Sequence, residues 1–543
     1  MEGDWDYFGE QLWAAERTLL YYHQFPMWDP YRCGGTPLFA SPFLALLSPF
    51  GLLRVILPPM MGLHLQVPIY LALGWAGGYI LGRVIGLRPM GSIACATVYP
   101  ASSWFFLHLA IGHFNFMPFM YLPWLLSVIW MARPGHVRRL SVVGGVLGGL
   151  IFFESGPTVA VFSAPLIAIV VIWLCIERNE NSAGFVTLGI AAFAIGLSAI
   201  KLLPTLALVS SRPVGVPEAD SVAVLIHALL SRNQNSHILV PGSAWGYYEY
   251  GAYVGAWFGA LALVGLITRP RKALPWLLCA IVLFAMSAGH FAWWAPWPLL
   301  HHLPPFSSEH VQPRFLIFVT LAVGVLAGIG ADSLSKWFRP WGAMAALAII
   351  VLGLADAWKV SVPILRFDTR NLPDAIPDSA PFRQFWNESD HGMLTTALSN
   401  LGAVNCMSPI DERRRPIGYN QYDYRGEQYL TGQGEVTLTM WTPNRLEYEV
   451  NAVGPTRLVI NENFDPGWRL SQGLGEVRSS RGLLSVSLGP GRQHLVVTYR
   501  APWIILGSII SVATIVIASL MYRGESKHNW FRIDSRSYPG QFS

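Results

Sequence analysis

The chain has 543 residues, 53% of them hydrophobic and 13% charged, about half the charge content of a soluble globular protein. The net charge of +5 reflects Lys and Arg placed in short links between apolar blocks, so it makes no case for nucleic acid. No zinc spacing, Walker loop or nucleotide fingerprint is present, and five cysteines are too few for a disulfide framework.

Residues 1–59 open with Gly3-Asp4-Trp5-Asp6-Tyr7-Phe8 and continue into a helix-like stretch over 10–22. Gln24-Phe25-Pro26-Met27-Trp28-Asp29-Pro30 and Cys33-Gly34-Gly35-Thr36-Pro37 follow. The segment 41–57 is apolar but broken by Pro42 and Pro49 and holds Arg54, so it reads as interfacial and partly re-entrant.

About 20 apolar residues are needed to cross the hydrocarbon core. Eleven candidate spans follow: 60–82, 91–107, 116–131, 140–153, 158–174, 185–206, 253–268, 273–289, 315–334, 341–358 and 503–521. Arg83 and Arg88, then Arg133, Arg138 and Arg139, then Arg269, Arg271 and Lys272, then Lys336 and Arg339 fall on alternate sides of successive spans. The tail carries Arg523 and Lys527. By the positive-inside rule this shared side is the cytoplasm; the link 177–182, with one Arg, is its weakest member. Residues 1–59, 108–115, 209–252, 290–314 and 359–502 then lie outside, in the manner of a cell-membrane protein. An N-terminus outside has nothing before it to translocate it, so a further span before Met1 is expected.

Residues 359–502 read as a soluble extracytoplasmic domain. Alternation predicts strands at 435–441, 446–451, 456–461, 483–488 and 494–500, separated by Pro- and Gly-containing turns, which fits a β-sandwich. The expected fold is thus a polytopic α-helical membrane protein: an outer first loop (1–59), a helical domain (60–358), the outer domain (359–502), a last span (503–521) and a cytoplasmic tail (522–543). Cys33 and Cys406 share the outer side, where a bridge between them is open to them, but the expectation is two unrelated free thiols.

The polar candidates gather on that outer side. Asp4 and Asp6 can serve as general base or bind a divalent cation; on spacing alone they are solvated acids. Lys201, near the outer end of a span, is a functional candidate or a snorkelling lysine. Arg314 at the mouth of a span can hold a phosphate or sit as an interfacial arginine. His108, His113, Glu154, Glu249 and His310 complete the set, each alone more often structural. Such a face suits a lipid-linked substrate at the outer leaflet, and also a transporter vestibule.

The order of several short motifs resembles that of YfhO-like bacterial membrane proteins of the GT-C glycosyltransferase superfamily. The first loop from Gln24 to Ala40, Gly112-His113, Gln312-Pro313-Arg314-Phe315 and Phe464-Asp465-Pro466-Gly467-Trp468 carry the likeness, which spans most of the chain. The resemblance implies transfer of a sugar from a polyprenyl-phosphate donor to a cell-envelope acceptor outside the cytoplasm. It puts the base or metal-associated carboxylate on Asp4 or Asp6, with Mg or Mn as the cation if there is one. Arg314, Lys201 or His310 would hold the donor phosphate. The superfamily's first span precedes this loop and is absent here. Two other readings stand beside it: a transporter or flippase for a lipid-linked glycan, and a non-catalytic glycan-binding scaffold. The absence of a convincing internal repeat favours the enzyme over the transporter.

Overall fold

The computed structural model describes residues 4–57, 59–209, 219–240, 245–337, 341–365, 381–407 and 413–523. Arg339, Lys527 and the rest of the tail beyond 523 lie outside them.

The first loop begins with helix α1 (Asp4–Leu20), followed by two short antiparallel strands, β1 (Trp28–Asp29) and β2 (Thr36–Pro37), and by α2 (Pro49–Ile56). Ser48 caps α2 by accepting the Gly51 N–H. The helical domain runs through α3 (Pro59–Val84), α4 (Pro89–Ala101), α5 (Ser103–Ile111), α6 (Leu122–Trp130), α7 (Val137–Ser155), α8 (Pro157–Arg178) and α9 (Ser182–Val209). It continues with α10 (Val222–Leu230), α11 (Ala256–Thr268), α12 (Pro270–Ser287), α13 (Pro296–His301), α14 (Leu316–Trp337) and α15 (Trp341–Ser361). Among the described residues, eight helical stretches are long and apolar enough to cross a membrane. They coincide with eight of the eleven expected spans. The other three fall on the shorter apolar helices Phe114–Trp130 and Ala256–Thr268 and on α7.

Helices that share an apolar solvent gain little from burying apolar surface, so small residues set their packing. Gly91 of α4 and Gly328 of α14 lie back to back: a Cβ on either would stand 2.6 Å from the other's carbonyl oxygen. α7 and α9 run parallel, with Gly144 against Ile190 and Gly148 against Ala194.

The basic links meet at one end of this bundle. Buried Asp332 at the end of α14 accepts the Arg88 N–H at 3.1 Å and Arg269 Nη1 at 2.8 Å, and pairs with Lys336 at 3.2 Å. Arg178 donates to the carbonyls of Trp130 and Ala132, and Arg139 lies over the Tyr522 ring. The opposite end carries the first loop and the sheet domain.

That domain has a small parallel pair, β3 (Arg383–Phe385) and β4 (Leu401–Ala403), flanking α16 (Met393–Ala397). Its eight further strands are β5 (Gln428–Leu430), β6 (Gly434–Thr442), β7 (Arg445–Ala452), β8 (Thr456–Asn463), β9 (Trp468–Gln472), β10 (Glu476–Ser480), β11 (Leu483–Leu488) and β12 (Gly491–Tyr499). They form two four-stranded sheets, ordered β10-β11-β8-β5 and β6-β7-β12-β9, before the last helix α17 (Ile504–Arg523). The five strands expected from alternation are present; the short β5, β9 and β10 carried too few alternating positions to be read.

The first loop belongs to the sandwich as much as to the bundle. Trp28 and Phe39 are fully buried in the sandwich core. Trp28 packs on Trp468 and Tyr499 with centroids 5.3 and 4.7 Å away, and donates its Nε1–H to Glu462. Asn463 Nδ2 donates to the carbonyls of Cys33 and Gly35. The expectation of two free thiols is overturned: Cys33 and Cys406 form a disulfide, Cα atoms 5.3 Å apart. Sequence separation of 373 residues hid a pairing that only the docking of the loop on the domain creates.

Candidate functional site

Five segments bring Asp4, His113, His108, Glu249 and Arg314 together. α5 ends at Gly112, whose left-handed backbone (φ 102°) only glycine adopts cheaply. That turn folds His113 back onto the helix, its N–H on the His108 carbonyl at 2.8 Å. A Cβ at 112 would also stand 2.4 Å from the Trp5 nitrogen, so the glycine lets the start of α1 approach. Asp4 in the first turn of α1 then hydrogen-bonds His113 Nε2.

From there the contacts form a chain. The His113 and His108 Nδ1 atoms are 2.8 Å apart. His108 Nε2 stands 3.7 Å from Glu249 Oε2. Arg314 closes the chain with a two-pronged bond to Glu249, Nε to Oε2 at 2.8 Å and Nη2 to Oε1 at 2.7 Å. Glu249 sits in the 3-10 turn Tyr247–Glu249, and Arg314 in the turn Gln312–Phe315 that leads into α14. Aromatic rings wall the chain: Trp104 over His108 (3.9 Å), Phe116 under Arg314 (4.7 Å), and Tyr248 beside both imidazoles. Sequence reading missed Trp104, Phe116 and Tyr248, because aromatic residues in apolar stretches look like ordinary packing.

Burial is deepest in the middle of the chain. Asp4 keeps 31% of its side chain exposed, Arg314 12%, Glu249 2% and His108 1%. Asp4 is thus the member a substrate can reach. Partial burial pushes its carboxyl up, but the hydrogen bond and charge of His113 and the charge of Arg314 outweigh that and hold it below the usual carboxylate range. It is therefore ionised at neutral pH.

The other candidates lie elsewhere. Asp6 caps α16: its carboxylate accepts the N–H groups of Gly392, Met393 and Leu394 at 2.7, 2.9 and 2.9 Å, tying α1 to the sheet domain. Lys201 donates its ammonium to the carbonyls of Phe39 and Ser41 at 2.6 and 2.5 Å, clamping the first loop to α9. His310 is exposed and stacks on Trp245 with centroids 5.4 Å apart. Glu154 is buried and accepts the Tyr121 hydroxyl at 3.2 Å. The structure thus separates Asp4 from Asp6, which spacing could not, and it gathers His108, His113 and Glu249 with Asp4 and Arg314.

A second buried group, unread in the sequence, lies where the first loop meets the sandwich. Arg32 lies 3.9 Å from Glu10 and 3.8 Å from Asp29. Burial, with Asp29 adding to it, pushes the Glu10 carboxyl well up. Further in, burial pushes Glu462 up to about 8 and Glu427 up to about 7. No family model matches this chain, and no curated protein matches it.

Proposed function

We propose that this protein is a membrane glycosyltransferase that moves a sugar from a polyprenyl-phosphate donor to an acceptor hydroxyl at the outer face of the cell membrane. The observation that carries the reading is the pairing of an ionised, reachable carboxylate, Asp4, with a fixed guanidinium, Arg314, across a wall of imidazoles at one mouth of the helical bundle. The resemblance of the first loop and of the Gly112-His113 and Pro313-Arg314 motifs to GT-C proteins points the same way.

In this reading Asp4 takes the proton of the acceptor hydroxyl as its oxygen attacks the anomeric carbon. The bond from that carbon to the donor phosphate oxygen breaks, and polyprenyl phosphate leaves with the electron pair. Arg314 spends two of its five N–H groups on Glu249, so the others remain to hold the developing phosphate charge. In-line attack inverts the anomeric centre. A disulfide between loop and domain agrees with an oxidising compartment, as expected of an extracytoplasmic face.

Proteoliposomes of the full chain supplied with mass-tagged polyprenyl-phosphate sugars test this. Transfer should be present in the wild type and fall by about 10²-fold or more in Asp4→Asn. Undiminished transfer in that variant removes Asp4 from the chemistry, and translocation of intact donor without transfer would favour a flippase.

A further inference from the structure

We infer that His108, His113 and Glu249 form a binding site for one divalent transition-metal ion at the floor of the Asp4–Arg314 site. Donor atoms of all three lie within 4.8 Å of one another, and all three residues are buried.

The hydrogen-bond pattern points to an ion. His108 Nδ1 lies 2.8 Å from His113 Nδ1, and either ring can supply the proton of that contact. The other ring nitrogen of His108, Nε2, has no such partner. This atom is buried and makes no hydrogen bond, and it faces the Glu249 carboxylate at 3.7 Å. A buried ring nitrogen left unpartnered, beside a carboxylate too distant to bond it, costs free energy. A metal–ligand distance of about 2.1 Å lets one ion bridge that gap. Glu249 keeps lone pairs for it, because each carboxylate oxygen has two and Arg314 takes one on each.

Charge agrees with the geometry. Asp4 and Glu249 carry two negative charges against the single positive charge of Arg314, so a dication turns the site net positive. Two imidazoles and one carboxylate select Zn, Mn or Co over Mg or Ca, which prefer all-oxygen ligands. The donor set thus departs from the all-carboxylate Asp4/Asp6 site expected from the first loop. Asp6 is spent on α16, and Asp4 bonds His113 from outside the metal ligands, which suits a base held in position by the ligand beside it.

The inference concerns the site proposed for transfer, but it is tested by binding. Full-length protein in detergent, stripped with chelator, is titrated with ZnCl2, MnCl2 and CoCl2 and assayed for metal content after desalting. Cobalt absorption reports nitrogen ligation. One equivalent of at least one of these ions should be retained. Retention should weaken at least tenfold in His108→Ala and in Glu249→Gln, with the Cys33–Cys406 bridge and thermal transition kept as checks of folding. His113→Gln, nearer the surface, should weaken it too. No retained ion, or retention unchanged in these variants, overturns the inference in favour of a proton relay through the two imidazoles. Retained ion without sugar transfer would leave the metal site standing and defeat the glycosyltransferase reading alone. Full transfer by protein shown to hold no ion would do the reverse.

Discussion

At the scale of single residues, the site depends on fork geometry and on buried acids. Lysine cannot reproduce the two-pronged bond of Arg314 to Glu249. Arg314→Lys should therefore lower transfer by about 10- to 100-fold while leaving membrane insertion intact; transfer within twofold of wild type would remove Arg314 from phosphate binding. Glu462 and Glu427 make a pH prediction. Their carboxyls are raised to about 8 and about 7 from about 4.3 in an unfolded chain. Between those values the folded protein holds protons that the unfolded chain has released. Stability is full below about pH 4 and falls as pH rises through 8, by at most about 1.4 kcal/mol per pH unit for each group. Glu462→Gln keeps an acceptor for Trp28 Nε1 and should flatten the decline, being more stable than wild type at pH 8. Melting curves across pH 5 to 8 check this, and parallel curves for the two proteins would refute it.

At the scale of elements, close backbone approach decides what the helices tolerate. Gly328→Val would drive a side chain into the Gly91 carbonyl and should prevent α4 and α14 from packing, seen as loss of a monodisperse, folded protein in detergent. Gly259 of α11 has nothing within 4 Å of a built Cβ, so Gly259→Ala should be neutral or slightly stabilising. Equal behaviour of the two variants would mean that α4 and α14 do not meet as described. Trp28 is the largest side chain that ties the first loop to the sandwich, beside Phe39, the Asn463 hydrogen bonds and the Cys33–Cys406 bridge. Trp28→Ala should cost about 3–5 kcal/mol and free the loop to protease, whereas unchanged proteolysis would show that the disulfide and the other loop contacts hold it without Trp28.

At the scale of the whole molecule, the sandwich sits where the basic links are not. Tyr422 is fully exposed on the sheet domain, and Gly135 lies in an open turn at the basic end. Single cysteines placed at these two positions, in a background with Cys95, Cys175 and Cys279 removed, should react with an impermeant maleimide from opposite faces of the membrane. Reaction of both from one face would break the topology. Both positions reached from the sandwich side alone would mean that the basic end is not cytoplasmic.

Much of this organisation could be read from the chain. Spans, basic links and sandwich strands are written in local apolar periodicity, which depends only on a segment and its solvent, so helices such as α8, α9 and α17 appear where expected. Gly112-His113 and Pro313-Arg314 were visible as motifs, but their partners were not. Asp4 lies 109 residues from His113 and Glu249 lies 65 from Arg314. No local pattern records which acid meets which base. The tertiary structure alone decided that Asp4 bonds His113 while Asp6 caps α16, that Lys201 holds carbonyls of the first loop, and that Cys33 meets Cys406. Membrane solvation determines the first kind of information one segment at a time. The second kind exists only once the first loop is buried between bundle and sandwich, where each unpaired charge or donor must find a partner from a distant part of the chain.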